Sequence, residues 1–230
     1  MSDTVLVIGG GIAGIQASLD LAEAGARVVL VERSPTIGGK MAVLDKNFPT
    51  LDCSICIEAP KMSEVDRHPN IEIIRLAEVR KVEGEAGNFR VTIEQQPAFV
   101  TSECTRCDLC VEACPVPLGN EAVSCMRTRK AIYTPIDQAV PGPYVIDIEQ
   151  CLNDPPNYLP CGRCVDACGP KCIDFNLYRP VTIEKEVGAV ITAVGYDMLD
   201  PGLLKEYGYG THPDIMTALE YEQLLVSSGP

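Results

Sequence analysis

The chain has 230 residues, with 19 Lys and Arg against 32 Asp and Glu, a formal charge of −13 and a pI of about 4.6. That balance excludes a nucleic-acid footprint, which needs a basic face. The length allows one sizeable core, or one core plus a small metal-stapled module. The longest apolar runs, such as residues 187–194, are far too short to span a bilayer. No positive region precedes the first apolar stretch, so no signal peptide is expected. The expected compartment is therefore the cytoplasm, where cysteines serve metals or catalysis rather than structural disulfides.

Residues 4–8 read as a buried strand, 15–24 as an amphipathic helix ending at Gly25, and 27–31 as a second buried strand closed by Glu32. The turn between the first strand and the helix is Gly9-Gly10-Gly11-Ile12-Ala13-Gly14. A strand–turn–helix–strand unit of this size turns a bare glycine motif into a dinucleotide fingerprint. A loop with Gly38-Gly39-Lys40 follows, then Cys53-x2-Cys56, then a helix expected over 59–66. Residues 71–75 suit another parallel strand. Residues 79–83 and 89–94 flank Gly84-Glu85-Ala86-Gly87-Asn88, a hairpin signal. After a segment rich in Pro and Cys, residues 181–186 alternate as a further strand of the hairpin sheet, and 187–194 form an apolar strand ending at Gly195.

Three glycines of the turn have separate tasks. Gly9 permits the bend, Gly11 lets backbone approach a pyrophosphate, and Gly14 allows close helix–strand packing. The helix start offers free N–H groups and partial positive charge to the phosphates. Glu32 stands 18 residues after Gly14, placed to accept from a ribose hydroxyl. The motif's position near residue 1 and the Gly38-Gly39-Lys40 loop favour FAD over NAD. Ile191-Thr192-Ala193-Val194-Gly195 looks like the second flavin-contacting turn of two-dinucleotide-domain flavoproteins, and Val79 resembles their adenine-contacting backbone position. Expected flavin contacts are Gly9, Gly11, Ala13, Gly14, Glu32, Gly39, Lys40, Met41, Val79, Ala193 and Gly195. The later Gly-Asp turn of such proteins is missing before Pro230, so the expectation is an incomplete flavin fold, as in a fragment or split-gene product.

Eight of the 12 cysteines form two runs. The first is Cys104-x2-Cys107-x2-Cys110-x3-Cys114-Pro115. The second is Cys151, a nine-residue spacer, then Cys161-x2-Cys164-x3-Cys168. This is an iron–sulfur spacing, whereas structural zinc prefers two separated pairs. In two-cluster ferredoxins the fourth cysteine of each run ligates the other cluster. Two 4Fe-4S clusters are therefore expected, one on Cys104, Cys107, Cys110 and Cys168, the other on Cys151, Cys161, Cys164 and Cys114. The long spacer makes Cys151 the ligand that departs from pattern. Cys53 and Cys56 admit three readings: a redox dithiol, part of another metal site, or free thiols. Cys125 and Cys172 read as buried free thiols. His68 and His212, each before Pro, read as turn residues. Asp45, Lys46 and Asp52 read as a solvated loop, and the Arg127, Arg129, Lys130 run as a solvated face.

The implied architecture is α/β. A flavin-type Rossmann-like domain over 1–97 and 181–230 is interrupted by a two-cluster ferredoxin-like insertion over 98–180. The segments Gly38-Gly39-Lys40-Met41, Leu44 to Cys56, Pro60-Lys61-Met62, His68-Pro69-Asn70-Ile71, Arg129 to Tyr133 and Glu206 to Gly210 resemble HdrA, the flavin-carrying component of heterodisulfide reductases. Within that family, Cys151-Leu152-Asn153, Cys161-Gly162-Arg163-Cys164 and Cys168 to Phe175 look most like QmoA, the corresponding component of the quinone-interacting membrane-bound oxidoreductase complex of sulfur-metabolising bacteria. The resemblance implies an electron-transferring oxidoreductase subunit with FAD and iron–sulfur clusters. It also implies sister subunits, contact with the inner face of the membrane only through them, and exchange of electrons with adenylylsulfate reductase. No catalytic side chain is required, and no nucleic acid is expected as a partner. The competing expectation from the residues is a pyridine-nucleotide-dependent flavoprotein with Cys53 and Cys56 as its dithiol. Against it, no second glycine fingerprint follows.

Overall fold

Two apolar runs without alternation, suited to burial on both faces, start the computed structural model, which describes residues 3–44, 46–47, 52–153 and 160–225. Strands β1 (Thr4–Ile8) and β2 (Arg27–Val31) lie parallel, with Thr4 opposite Arg27 and Ile8 opposite Val31. Helix α1 (Ile12–Glu23) joins them and buries Gly14, Ile15, Ser18, Leu19 and Ala22, a helical spacing. It starts three residues earlier than expected, because extended Gly11 already accepts from the Ile15 N–H. Helix α2 (Ser54–Arg67) also starts early. Cys53 caps it, its sulfur accepting from the Cys56 N–H at 3.3 Å, and the helix runs through Pro60.

Strand β3 (Ile71–Ile74) adds in parallel to β2. Strands β4 (Ala77–Glu85) and β5 (Asn88–Gln95) form the expected antiparallel hairpin, with a bulge between Val79 and Lys81. Two further short helices, α3 (Leu109–Ala113) and α4 (Arg163–Ala167), follow in the cysteine-rich segment. Strand β6 (Val181–Val187) pairs antiparallel with β5, Val181 facing Gln95 and Val187 facing Phe89. Strand β7 (Ala189–Thr192) then pairs parallel with β1. The expected single strand from Val187 is thus divided at Gly188, whose N–H donates to the Thr4 carbonyl. The parallel sheet runs β7-β1-β2-β3 and the antiparallel sheet β6-β5-β4.

Strand periodicity of two sends neighbours to opposite faces. Val28 and Leu30 pack with Ile15, Leu19, Met62 and Val65 under the helices. Val29 and Val31 pack with Val91, Ile93 and Val187 of the antiparallel sheet. The result is three layers: helices, parallel sheet, antiparallel sheet.

The segment between β5 and β6 has its own core, which contains Cys110, Cys114, Cys151, Cys164 and Cys172 among Phe99, Ile132, Tyr144 and Ile146. Two small ladders brace it, Pro117–Gly119 with Thr128–Lys130 and Ile132–Tyr133 with Val145–Ile146. It is stitched to the α/β part by reciprocal bonds. The Val140 N–H donates to Thr36 Oγ1 at 2.8 Å, and the Ile37 N–H donates to the Val140 carbonyl at 2.9 Å. Arg75 donates to the carbonyls of Pro35 at 3.0 Å and Pro143 at 3.2 Å.

The basic run expected to be a solvated face is not one. The Arg129 side chain is 6% exposed, paired with Glu121 at 2.8 Å and Asp147 at 2.7 Å, and its guanidinium lies 4.0 Å from the Tyr133 ring centre. Arg127 donates to Gln223 of helix α5 (Ala218–Leu225), and Gln223 in turn donates to the Val43 carbonyl. Folding brings in acidic and amide partners from distant sequence. Arg129→Ala is expected to lower stability by about 2–4 kcal/mol, because it strands the half-buried Asp147. The urea unfolding midpoint measures this.

Candidate nucleotide cradle and cysteine cages

The glycine turn sits where β1, β2 and β7 end together. Gly9 has φ +104°, in the region that favours glycine, and a Cβ there would stand 2.3 Å from the Ala193 carbonyl oxygen. A Cβ on Gly14 would stand 1.8 Å from the Gly9 carbonyl oxygen, so α1 lies directly on the turn. The Gly38 N–H donates to the Gly10 carbonyl at 2.7 Å, and Gly39 faces Gly11, where a Cβ would meet the Gly11 Cα at 2.9 Å. The two glycine loops therefore touch, and Gly11 serves this contact as well as any ligand approach. No side chain caps the start of α1 and no acidic residue lies in its first turn, so its leading N–H groups suit an anion.

Glu32 is 7% exposed and holds this turn in place. One carboxylate oxygen accepts from the Gly10 N–H at 2.6 Å, the other from the Ser34 N–H at 2.7 Å. Each oxygen keeps further acceptor capacity for a hydroxyl. Ala193 donates from its N–H to the Ile8 carbonyl at 2.7 Å, so the Ala193–Gly195 turn leaves β7 beside the fingerprint. Lys40 is half-buried, with its ammonium 5.3 Å from the Tyr196 ring centre, and Met41 opens a short 3-10 turn. Ala13 is exposed on the first turn of α1. Val79 faces Ile93 two residues beyond Ala77, whose N–H donates to the Glu32 carbonyl. The structure thus brings Gly9, Gly11, Gly14, Glu32, Gly39 and Ala193 into one cradle, with Val79 at its β4 margin.

Helix α2 carries two features. Cys53 and Cys56 are joined by a disulfide, which corrects the free-thiol reading of this pair. Glu58, on the same helix, is fully buried, and neither of its carboxylate oxygens has a hydrogen-bond partner among the described residues. Burial pushes its carboxyl up to about 7. No motif marks Glu58. The only available signal was a charged residue one helical turn after Ser54, on the face that also buries Met62 and Val65.

The eight cysteines of the two runs gather at two hollows. One is lined by Cys104, Cys107, Cys110 and Cys168 together with Cys172, and encloses about 300 Å³, partly open to solvent. The other is lined by Cys114, Cys151, Cys161 and Cys164, and encloses about 330 Å³, likewise partly open. Helices α3 and α4 each bury one run's central sulfur, Cys110 and Cys164. The grouping crosses between the runs, and Cys151 reaches its hollow despite the long spacer, of which residues 154–159 lie outside the described ones. Burial, with neighbouring thiols adding to it, pushes Cys110 up to about 12 and Cys164 up to about 11. Such thiols hold their protons until a metal replaces them. No three His, Cys, Asp or Glu side chains among the described residues converge on a single-ion site. The donor set, five soft sulfurs around the first hollow and four around the second, fits an iron–sulfur cube better than one ion.

Residues 4–44 match the family model described as FAD dependent oxidoreductase. Over 98% of its length the chain is 50% identical to HdrA of Methanocaldococcus jannaschii, the iron-sulfur A-subunit of its CoB--CoM heterodisulfide reductase, covering 33% of that protein. It is 50% identical over its whole length to an HdrA of the same description from Methanopyrus kandleri, covering 34% of it. It is 46% identical to the A-subunit of the H(2):CoB-CoM heterodisulfide,ferredoxin reductase of Methanothermobacter marburgensis, again covering 34%. Over nearly its whole length the chain is related to part of HdrA, the A-subunit of heterodisulfide reductases. It spans about a third of the length of these curated relatives.

The remaining candidates divide. His68 ends α2, its Nδ1 accepting from the Asn70 N–H, and the His212 N–H donates to the Gly208 carbonyl, so both are turn residues as expected. Cys125 is exposed rather than buried, because Ser124 and Cys125 both adopt positive φ and turn the sulfur outward beside Gly119. Cys172 is buried as expected, but against Cys168. Lys46 and Asp52 are exposed, and Asp45 lies outside the described residues. No helix among the described residues is long and apolar enough to cross a membrane.

Glu58 gives a pH test. Its unfolded carboxyl ionises near the ordinary value of 4.5, while the folded one waits until about 7. Its cost therefore grows as pH rises from 4.5 to 7 and is constant above. Glu58→Gln is expected to stabilise the chain by about 1–3 kcal/mol at pH 8 and by far less at pH 4.5. Thermal unfolding at the two pH values checks this.

Proposed function

We propose that this chain is the electron-transferring flavin and iron–sulfur part of a heterodisulfide-reductase-like oxidoreductase. The single observation that carries this is the presence, in one chain, of two cysteine-lined hollows stitched to a dinucleotide cradle. On this reading, residues 1–97 and 181–230 form the FAD-binding domain, and 98–180 form a ferredoxin-like module. FAD would be held by Gly9, Gly11, Ala13, Gly14, Glu32, Gly39, Lys40, Met41, Val79, Ala193 and Gly195. One 4Fe-4S cluster would be held by Cys104, Cys107, Cys110 and Cys168, the other by Cys151, Cys161, Cys164 and Cys114. Bound flavin supplies two-electron chemistry and the clusters one-electron chemistry.

The chain's own residues orient and insulate these groups. Glu32 pins the pyrophosphate turn, while Phe99, Ile132 and Ile146 exclude water around the sulfurs. No side-chain nucleophile or acid–base pair is needed. Sister subunits are the natural partners, because the relatives are named as components of larger complexes. Sequence likeness around Cys151 to Phe175 supports a finer assignment, in which electrons pass between a quinone-linked membrane module and adenylylsulfate reductase. The membrane would be met only through partners, from the cytoplasmic side.

A second reading is favoured by the Cys53–Cys56 disulfide at the start of α2. In it the pair is a redox dithiol of a pyridine-nucleotide-dependent flavoprotein. NADH or NADPH bleaching the flavin of the isolated chain would support it.

The first reading is tested on anaerobically purified holoprotein. Absorption should show flavin together with broad cluster bands. Cys107→Ser is expected to remove about half of the bound iron and leave the flavin, since one of two clusters loses a ligand. Unchanged iron in that variant would overturn the assignment.

A further inference from the structure

The first hollow holds one sulfur more than a cube has corners. Cys172 is 5% exposed and lies in the wall with Cys104, Cys107, Cys110 and Cys168. Its sulfur is 3.4 Å from that of Cys168 and within hydrogen-bonding reach of Cys104. Two sulfurs in van der Waals contact cannot serve two different irons, whose thiolate ligands point away from one another. Cys172 therefore shares a corner with a neighbour, and the tight turn that ties its N–H to the Cys168 sulfur makes that neighbour Cys168.

The backbone is arranged to make this contact. Cys168-Gly169-Pro170-Lys171-Cys172 folds into a tight turn. In it the Lys171 N–H donates to the Cys168 carbonyl at 3.2 Å and the Cys172 N–H to the Cys168 sulfur at 3.4 Å. Lys171 has φ +56°, a costly conformation for a lysine. On the far side the Thr101 N–H donates to the Cys172 carbonyl at 2.8 Å, and Val100 bridges to Ile173. Cys172 is thus held in the cage wall from both sides.

We propose that the fourth corner of this cluster is a two-cysteine position, which either Cys168 or Cys172 can fill. The inference rests on the cluster reading above. The exchange balances simply. The iron–sulfur bond to Cys168 breaks, one to Cys172 forms, and the Cys172 proton passes to the released Cys168 sulfur. No electron is gained or lost. The sulfur not bound to iron remains a thiol in contact with the bound one.

The test compares iron content and the EPR spectrum of the dithionite-reduced holoprotein in Cys168→Ala, Cys172→Ala and the double variant, with circular dichroism to confirm folding. Each single variant is expected to keep the full iron complement, and the double variant about half of it. Cys168→Ser is expected to give the same EPR spectrum as Cys168→Ala, because the Cys172 sulfur, not the new side chain, then binds. Halved iron in either folded single variant overturns the proposal, as does full iron in the double variant or a Ser spectrum unlike the Ala spectrum. Should Cys168→Ala not fold, the isosteric Cys168→Ser decides alone: full iron with cysteine-only ligation supports the proposal, and lost iron overturns it. Full iron in Cys107→Ser, or none in the wild type, would instead remove the cluster reading itself.

Discussion

The return of the chain to its starting sheet is the constraint on which both halves rely. Val181 pairs opposite Gln95, so the two ends of the long excursion meet across one ladder. Gly188 then donates to Thr4, and β7 enters beside β1. Without that return the parallel sheet would lack its edge strand, and the Gly9 turn would lose the Ala193 carbonyl it packs against. Because the ends are adjacent, the α/β layers close whatever the internal order of the excursion. Closure entropy grows only slowly with loop length. A cysteine-rich segment with a small core of its own can therefore sit there at modest cost, stiffened by whatever its sulfurs bind.

The cradle shows how a carboxylate can do two jobs. Glu32 accepts from Gly10 and Ser34 on either side, tying the first glycine loop to the residues after β2. The second glycine loop is hung on the first by the Gly38 to Gly10 bond. A ligand entering this cradle therefore meets backbone already ordered, and the ordering cost was met on folding. Glu58 is the opposite case, a buried carboxyl with no hydrogen-bond partner among the described residues, whose burial keeps it protonated up to about pH 7.

Local patterns made much of this legible. The β1-α1-β2 unit, the hairpin and its third strand all follow from short-range periodicity and turn residues, and the structure differs only at ends set by capping. The α2 start was hidden because its cap is a sulfur, not the usual hydroxyl or carboxylate. The grouping of cysteines into two sets was readable from spacing, since a close run must bend around one centre. Contacts between distant segments were not readable. Arg129 looked solvated until Glu121, Tyr133 and Asp147 closed on it. Cys125 looked buried because cysteine usually is, yet positive φ at two successive residues turns it out. Cys172 resembled a packing residue, because nothing in the spacing shows that a strained lysine folds it back on Cys168.

The stitches at Thr36, Ile37 and Val140 have a kinetic meaning. They lock the loop that follows Glu32 to the wall of the cysteine segment through three bonds of 2.8 to 3.0 Å. Electron tunnelling fades exponentially with the gap between donor and acceptor. On the proposed electron-transfer reading, a linkage that restrains the two halves from moving apart would hold that gap, and hence the hop time, steadier against thermal motion.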